Sequence, residues 1–228
     1  MTQEKNILML HKAEKSFGNK SLLKEINFSC ETGEIVGVFG KNGCGKSTLL
    51  KMMFGILSAD QIDMRIDGIS VNPQNVIASK QIAYLPQDSF LPKNLRVRDI
   101  IPMYFYSQEK QDAVFYNPGI AKITAKFVKN LSLGELRYLE LILIGSLDHK
   151  FLLLDEPFSM IEPLYKDAIK EFLDAKKATK GIILTDHYFD DVLQTVTKSI
   201  VISNGVSSDV LGKEDLVRKK YLTKNNIT

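Results

Sequence analysis

An α/β fold is what this 228-residue sequence predicts. Three observations carry that prediction. Short apolar runs sized for buried strands alternate with segments of helical periodicity. One such run, Glu34-Ile35-Val36-Gly37-Val38-Phe39, leads straight into the glycine-rich stretch Gly40-Lys41-Asn42-Gly43-Cys44-Gly45-Lys46-Ser47-Thr48, and Leu49 to Phe54 continues as helix. Another, Phe151-Leu152-Leu153-Leu154, ends in adjacent carboxylates, Asp155 and Glu156.

The stretch Gly40–Thr48 fits G-x-x-x-x-G-K-[ST], a loop that cradles phosphate. Gly40, Gly43 and Gly45 let successive backbone N–H groups turn inward toward phosphate oxygens. Lys46 brings a point charge for β- and γ-phosphates, and the Ser47 hydroxyl can ligate Mg²⁺. The helix that starts here adds its positive dipole end. Strand, glycine loop and helix in this order predict nucleotide binding.

Composition is that of an ordinary globular protein, 44% hydrophobic and 25% charged. A net charge of +3 is too mild to mark a nucleic-acid footprint, and no nucleic-acid partner is expected. Cys30 and Cys44 have no metal-binding spacing and suit free thiols in a reducing cytosol. No run approaches the ~18 apolar residues of a membrane span. Met1 to Asn6 lacks the basic and apolar regions of a signal peptide.

Taken in order, Ile7–His11, Ile26–Cys30 and the run ending at Phe39 read as strands, with Glu31-Thr32-Gly33 as the turn between the last two. Phe17, in a polar loop beside Gly18, is either an anchor packed on the core or a stacking platform for adenine. Asp63–Val71 alternates around Asp67-Gly68 as a hairpin. Ile82–Pro86 is a short strand followed directly by Gln87. Val97–Tyr106 and Ile120–Val128 read as helices separated by a break at Asn117-Pro118-Gly119. Ser132 and Glu135 have capping-box spacing ahead of a helix through Leu147.

Asp155 and Glu156, if buried, need a cation or a reaction to justify them, and Mg²⁺ ligation with water activation supplies both. A helix over 162–177, a strand Ile182–Thr185, then Asp186-His187 follow. Ser199–Ser203 runs into the hairpin turn Asn204-Gly205, and a basic helical tail from Lys213 to Lys224 closes the chain.

The motifs Phe17, Gly40–Thr48, Gln87, Leu131–Glu135, Phe151–Glu156, Ser159–Pro163 and His187, in this order, resemble the ATP-binding cassette of ABC transporters over essentially the whole chain. The resemblance implies a P-loop NTPase core with an antiparallel β subdomain and a short helical subdomain inserted at about 88–147, all within one domain over 1–228. It implies ATP and Mg²⁺ as cofactors. Phe17 would be the adenine-loop aromatic, and Gly40, Asn42, Gly43, Cys44, Gly45, Lys46, Ser47 and Thr48 the nucleotide loop. Ser47, Gln87 and Asp155 would serve the metal, Glu156 would be the general base, and His187 would contact the γ-phosphate. Ser132 and Gly134 would act in trans on the nucleotide of a second cassette, in a homodimer or heterodimer. Transmembrane permease subunits would hold the chain on the inner face of the cell membrane, with Phe90 and Leu91 as candidate contacts.

Thr185-Asp186-His187 and Val217–Leu222 are similar to the lipopolysaccharide-export and branched-chain amino-acid cassettes. Three departures stand out. Leu133 and Glu135 alter the usual L-S-G-G-Q signature, Glu162 occupies the D-loop aspartate position, and the helical subdomain is short. A cassette that binds ATP but hydrolyses it weakly in a regulatory role is the alternative these departures leave open. A ribosome-acting protein would need tandem cassettes, and a chromosome-maintenance ATPase a long coiled coil before Leu131; the sequence has neither.

Overall fold

The protein, seen here in a computed structural model that describes residues 5–159, 161–210 and 215, turns its continuous apolar runs into a sheet covered on both faces. The chain opens with β1 (Ile7–Phe17), β2 (Lys20–Leu23) and β3 (Phe28–Glu31), then enters β4 (Ile35–Gly40) and the helix α1 (Lys46–Phe54). Next come β5 (Gln61–Ile66), β6 (Ile69–Ser70), α2 (Val76–Ser79) and β7 (Ile82–Leu85). A helical stretch follows: α3 (Val97–Tyr104), α4 (Gln108–Phe115), α5 (Pro118–Ala121) and α6 (Leu133–Gly145). The chain then runs through β8 (Phe151–Asp155), α7 (Pro163–Lys177), β9 (Gly181–Thr185), α8 (Phe189–Thr195), β10 (Lys198–Ser203) and β11 (Val206–Val210).

The main sheet has the order β11-β10-β4-β9-β8-β7, parallel from β10 to β7, with β11 antiparallel at the edge. Its strands alternate between two apolar cores with the period of two that a strand imposes. Val36, Val38, Leu153, Ile183 and Ile200 face a core shared with α1 and the antiparallel layer, where Leu8, Leu10, Met52 and Met64 sit. Ile35, Phe39, Leu152, Leu154, Ile182 and Leu184 face the other core, filled by Leu139, Leu143, Ile169 and Leu173 of α6 and α7. The antiparallel layer is built on β1, which pairs with β2, β3 and β5, while β6 folds back on β5. Asp67 and Gly68 both adopt positive φ, as do Asn204 and Gly205, so each predicted hairpin turns through two left-handed residues.

The elements depart from the sequence reading in several places, β2 and α8 among those it did not foresee. Phe17 is not in a loop but ends β1, which extends well past His11 because β5 and β2 pair with its second half. Ile120–Val128 is not one helix: α5 stops at Ala121, and turns lead to a single 3₁₀ turn at Val128–Asn130. Asn117, read as a break, caps α5 by accepting from the Gly119 N–H at 3.1 Å. Helix α4, with Ser107 as its cap, lay unread between Tyr106 and Asn117. The tail from Lys213 to Lys224, Asp215 apart, and Val217–Leu222 lie outside the described residues. Among the described residues no helix is long and apolar enough to cross a membrane.

Candidate nucleotide site

The polar residues of interest gather where the parallel strands end, the crevice in which open α/β sheets hold ligands. Gly40 ends β4, Asp155 ends β8 and Thr185 ends β9, while Gln87 follows β7. The loop after β4 needs its glycines. Gly45 sits at φ +107°, and a Cβ there would lie 2.7 Å from Leu23 Cδ2. Lys46 begins α1 and is buried, its Nζ donating to the Gly40 carbonyl at 2.7 Å. Asn42, Gly43, Gly45, Lys46, Ser47 and Thr48, together with Leu22, Gln87, Glu156 and His187, line a cavity of about 380 Å³. Cys44 instead lines a neighbouring cavity of about 670 Å³ beside Asn204 and Gly205. Phe17 lines neither. The residue is 52% exposed, with Lys15 Nζ 5.3 Å from its ring centroid.

Asp155 is fully buried and takes hydroxyl hydrogen bonds on both oxygens. Ser47 Oγ donates to Oδ1 at 2.9 Å and Thr185 Oγ1 donates to the same atom at 2.7 Å. Tyr84 Oη donates to Oδ2 at 3.3 Å. One carboxylate and one serine hydroxyl thus meet at the end of the phosphate loop, an all-oxygen donor pair suited to a hard cation that keeps most of its shell for phosphate and water.

Glu156 is the next residue, and its backbone is left-handed at φ +57°. That conformation is uncommon for a side chain of this size and survives only where neighbours enforce it. Its N–H donates to the Thr185 carbonyl at 2.9 Å. Gln87 Nε2 at 3.0 Å and Ser159 Oγ at 3.1 Å donate to its Oε2, and His187 Nε2 lies 2.5 Å from Oε1. The three residues nominated from sequence as Gln87, Glu156 and His187 therefore form one cluster on the wall of the cavity.

Ser132 and Gly134 are not among the residues lining that cavity. Ser132 caps α6 in a reciprocal box with Glu135: Glu135 N–H donates to Ser132 Oγ at 3.1 Å, and Ser132 N–H donates to Glu135 Oε2 at 2.9 Å. A glutamate at this position therefore keeps the helix start intact, and Lys126 pairs with it at 2.7 Å. Leu133 is exposed, Phe90 is partly exposed, and Leu91 is buried in the core, which removes Leu91 as a surface contact. Glu162 is the residue before α7.

Sequence reasoning passed over several residues that build the site. Tyr84 and Thr185 hold Asp155. Asp186 is buried and accepts N–H bonds from Phe158 at 2.6 Å, His187 at 2.7 Å and Tyr188 at 2.9 Å, so it sets the path of the chain around His187. Burial pushes its carboxyl above the usual range despite these donors. Arg137 and Glu140 are buried charges within an apolar helix, and that mismatch with the surrounding leucines and isoleucines was the signal available in sequence.

The fold and the loop define an ATP-binding cassette, and comparison with known proteins agrees. The family model for ABC transporters matches residues 23–159, and the chain belongs to that family. It is 29% identical over 237 positions to the lipopolysaccharide export system ATP-binding protein LptB of Haemophilus influenzae, covering 95% of this chain and 97% of that one. It is 30% identical over 203 positions to a probable ABC transporter ATP-binding protein of Azorhizobium caulinodans, covering 84% of this chain and 72% of that one. The crystal structure of a nucleotide-free ATP-binding cassette from an ABC transporter superposes with a TM-score of 0.80 at 19% identity, covering 96% of both chains.

Proposed function

We propose that this chain hydrolyses ATP to power an ABC transporter, working as a pair of cassettes on membrane-embedded subunits. The observation that carries the reading is the seating of Glu156: a carboxylate beside the cavity of the phosphate loop, fixed by Gln87, Ser159 and His187. In this reading the loop N–H groups and Lys46 hold the triphosphate, and Glu156 takes the proton of the attacking water. Gln87 orients that water and His187 binds the γ-phosphate. Mg²⁺, held by Ser47 and Asp155, would neutralise charge on the phosphate oxygens.

Ser132 and the Gly134 backbone serve the nucleotide of the facing cassette, which accounts for their position away from their own cavity. Phe90 and its neighbours in the helical region meet the membrane subunit. The lipopolysaccharide-export relative suggests an exporter of that kind, since the match runs nearly end to end.

The test is ATP turnover by the purified chain, wild type against Glu156→Gln. Turnover should fall at least 100-fold with ATP affinity kept, and the variant should elute as a dimer in ATP and Mg²⁺. Equal turnover by the two proteins would remove the general base. A wild type that binds ATP with no turnover, alone or with its membrane subunits, would favour the regulatory cassette that Leu133 and Glu162 leave open.

A further inference from the structure

Arg137 and Glu140 form an ion pair on α6, with Nη1 3.5 Å from Oε2. They are 7% and 1% exposed. Taking both ions out of water is a poor way to gain stability, so the pair calls for another reason. Its contacts supply one. The guanidinium donates to the Pro86 carbonyl at 2.6 Å, to the Asp155 carbonyl, and to the Glu156 carbonyl at 3.2 Å. Glu140 Oε1 accepts the Phe90 N–H at 3.2 Å.

One helix therefore grips the chain on both sides of Gln87 and holds the main chain of the two carboxylates. Gln87 and Glu156 are the side chains that follow from these anchored carbonyls, and they hydrogen-bond each other at 3.0 Å. The left-handed backbone of Glu156 is clamped from its amide by Thr185 and from its carbonyl by Arg137. The planar fork is what permits three carbonyls to be bridged at once, which a lysine ammonium at the end of a flexible stem cannot reproduce.

We propose that Arg137, set in place by Glu140, is a positioning residue that aims the Glu156 carboxylate and Gln87, and that passes any displacement of the Phe90 segment on to them. This rests on the reading of Glu156 as general base. A partner pressing on Phe90 would pull on Glu140, and through Arg137 on the carbonyl that orients the base.

The test uses the full chain and the double variant Arg137→Met/Glu140→Leu, which replaces the pair by apolar side chains of similar size and so avoids leaving one charge buried alone. Its kcat should fall ten- to 100-fold with KM for ATP within threefold of wild type, and Arg137→Lys should recover only part of the loss. Added to Glu156→Gln, the double substitution should change residual turnover less than twofold, because Gln87, bonded to that carboxylate, serves the same water that Glu156 activates. Wild-type kcat in the double variant, or a further tenfold loss in the Glu156→Gln background, would overturn the positioning role. Wild-type turnover by Glu156→Gln alone would instead overturn the general-base reading. Amide exchange gives a readout independent of turnover. The Phe90 amide should exchange at least fivefold faster in the double variant while Ile182 to Thr185 stay protected, and unchanged exchange at Phe90 would sink the proposal.

Discussion

His187 Nε2 lies 2.5 Å from Glu156 Oε1, while the other carboxylate oxygen accepts from Gln87 and Ser159. The two residues come from chain segments that follow different strands, β9 and β8, which pair in parallel register with Asp155 beside Thr185. That register brings Glu156, the residue after β8, close to His187, the second residue after β9. The carboxylate can point at a substrate only if its flanking groups hold it, and His187 is the one beside Oε1.

Replacing His187 by Ala should accordingly lower turnover about 100-fold, within the range found for acid–base groups. ATP affinity should fall less than tenfold, since the loop and Lys46 are untouched and only the γ-phosphate contact is lost. Turnover and equilibrium nucleotide binding on the same preparation check both halves.

Two buried aspartates near the site should respond to the same substitution in opposite ways. Asp155 is held by the hydroxyls of Ser47, Thr185 and Tyr84, and a hydroxyl can rotate to accept from an amide as readily as it donates. Asp155→Asn should then fold with stability within about 1 kcal/mol of wild type, yet need at least tenfold more Mg²⁺ for half-maximal turnover. Asp186 is held on both oxygens by backbone N–H groups, which cannot reverse. Asp186→Asn points its NH₂ at one of them and should lose about 1–3 kcal/mol. Urea denaturation of the two variants decides the contrast.

The phosphate loop, the paired carboxylates and both hairpin turns were legible because each rests on a local pattern: glycine at fixed offsets, an apolar run ending in acid, Asp-Gly and Asn-Gly. Continuous apolar runs such as Leu152–Leu154 also announced buried strands. What local pattern cannot show is which distant groups satisfy a buried charge. Asp155 depends on Tyr84 and Thr185, each many residues away, and Arg137 on carbonyls of Pro86 and Glu156. The 120–128 segment misread as helix has apolar residues at helical spacing, but Ile120 enters the core from the short helix α5, Ile123 from a turn and Val128 from the 3₁₀ turn.

Lys180 carries a pH dependence whose sign can be worked out. Burial, with Lys176 nearby, pushes its ammonium down from 10.5 to about 8, while its Nζ donates to the Leu147 and His149 carbonyls at 2.6 Å. Between those two values the unfolded chain keeps a proton that the folded chain has released. Stability therefore rises with pH across that window and is level below it. Lys180→Met should remove the rise. Unfolding free energies of wild type and variant, compared from pH 8 to pH 10, should diverge by on the order of 2 kcal/mol in that direction.

Leu133 is the departure whose consequence is easiest to isolate. It is the first residue of α6, directly after the cap Ser132, and its side chain is exposed. The capping box needs only Ser132 and Glu135, so the start of the helix does not depend on the leucine. A glycine there should cost at most about 1 kcal/mol of helix propensity, less at a first-turn position than in a helix interior. In the paired-cassette reading, however, this side chain stands between Ser132 and Gly134 on the surface that closes over the facing nucleotide, where bulk would hold the two cassettes apart. Leu133→Gly should then raise turnover at least threefold and increase the fraction of dimer that Glu156→Gln accumulates in ATP and Mg²⁺. If turnover and dimer both fall, the leucine contributes apolar contact to closure, and the slow step lies elsewhere.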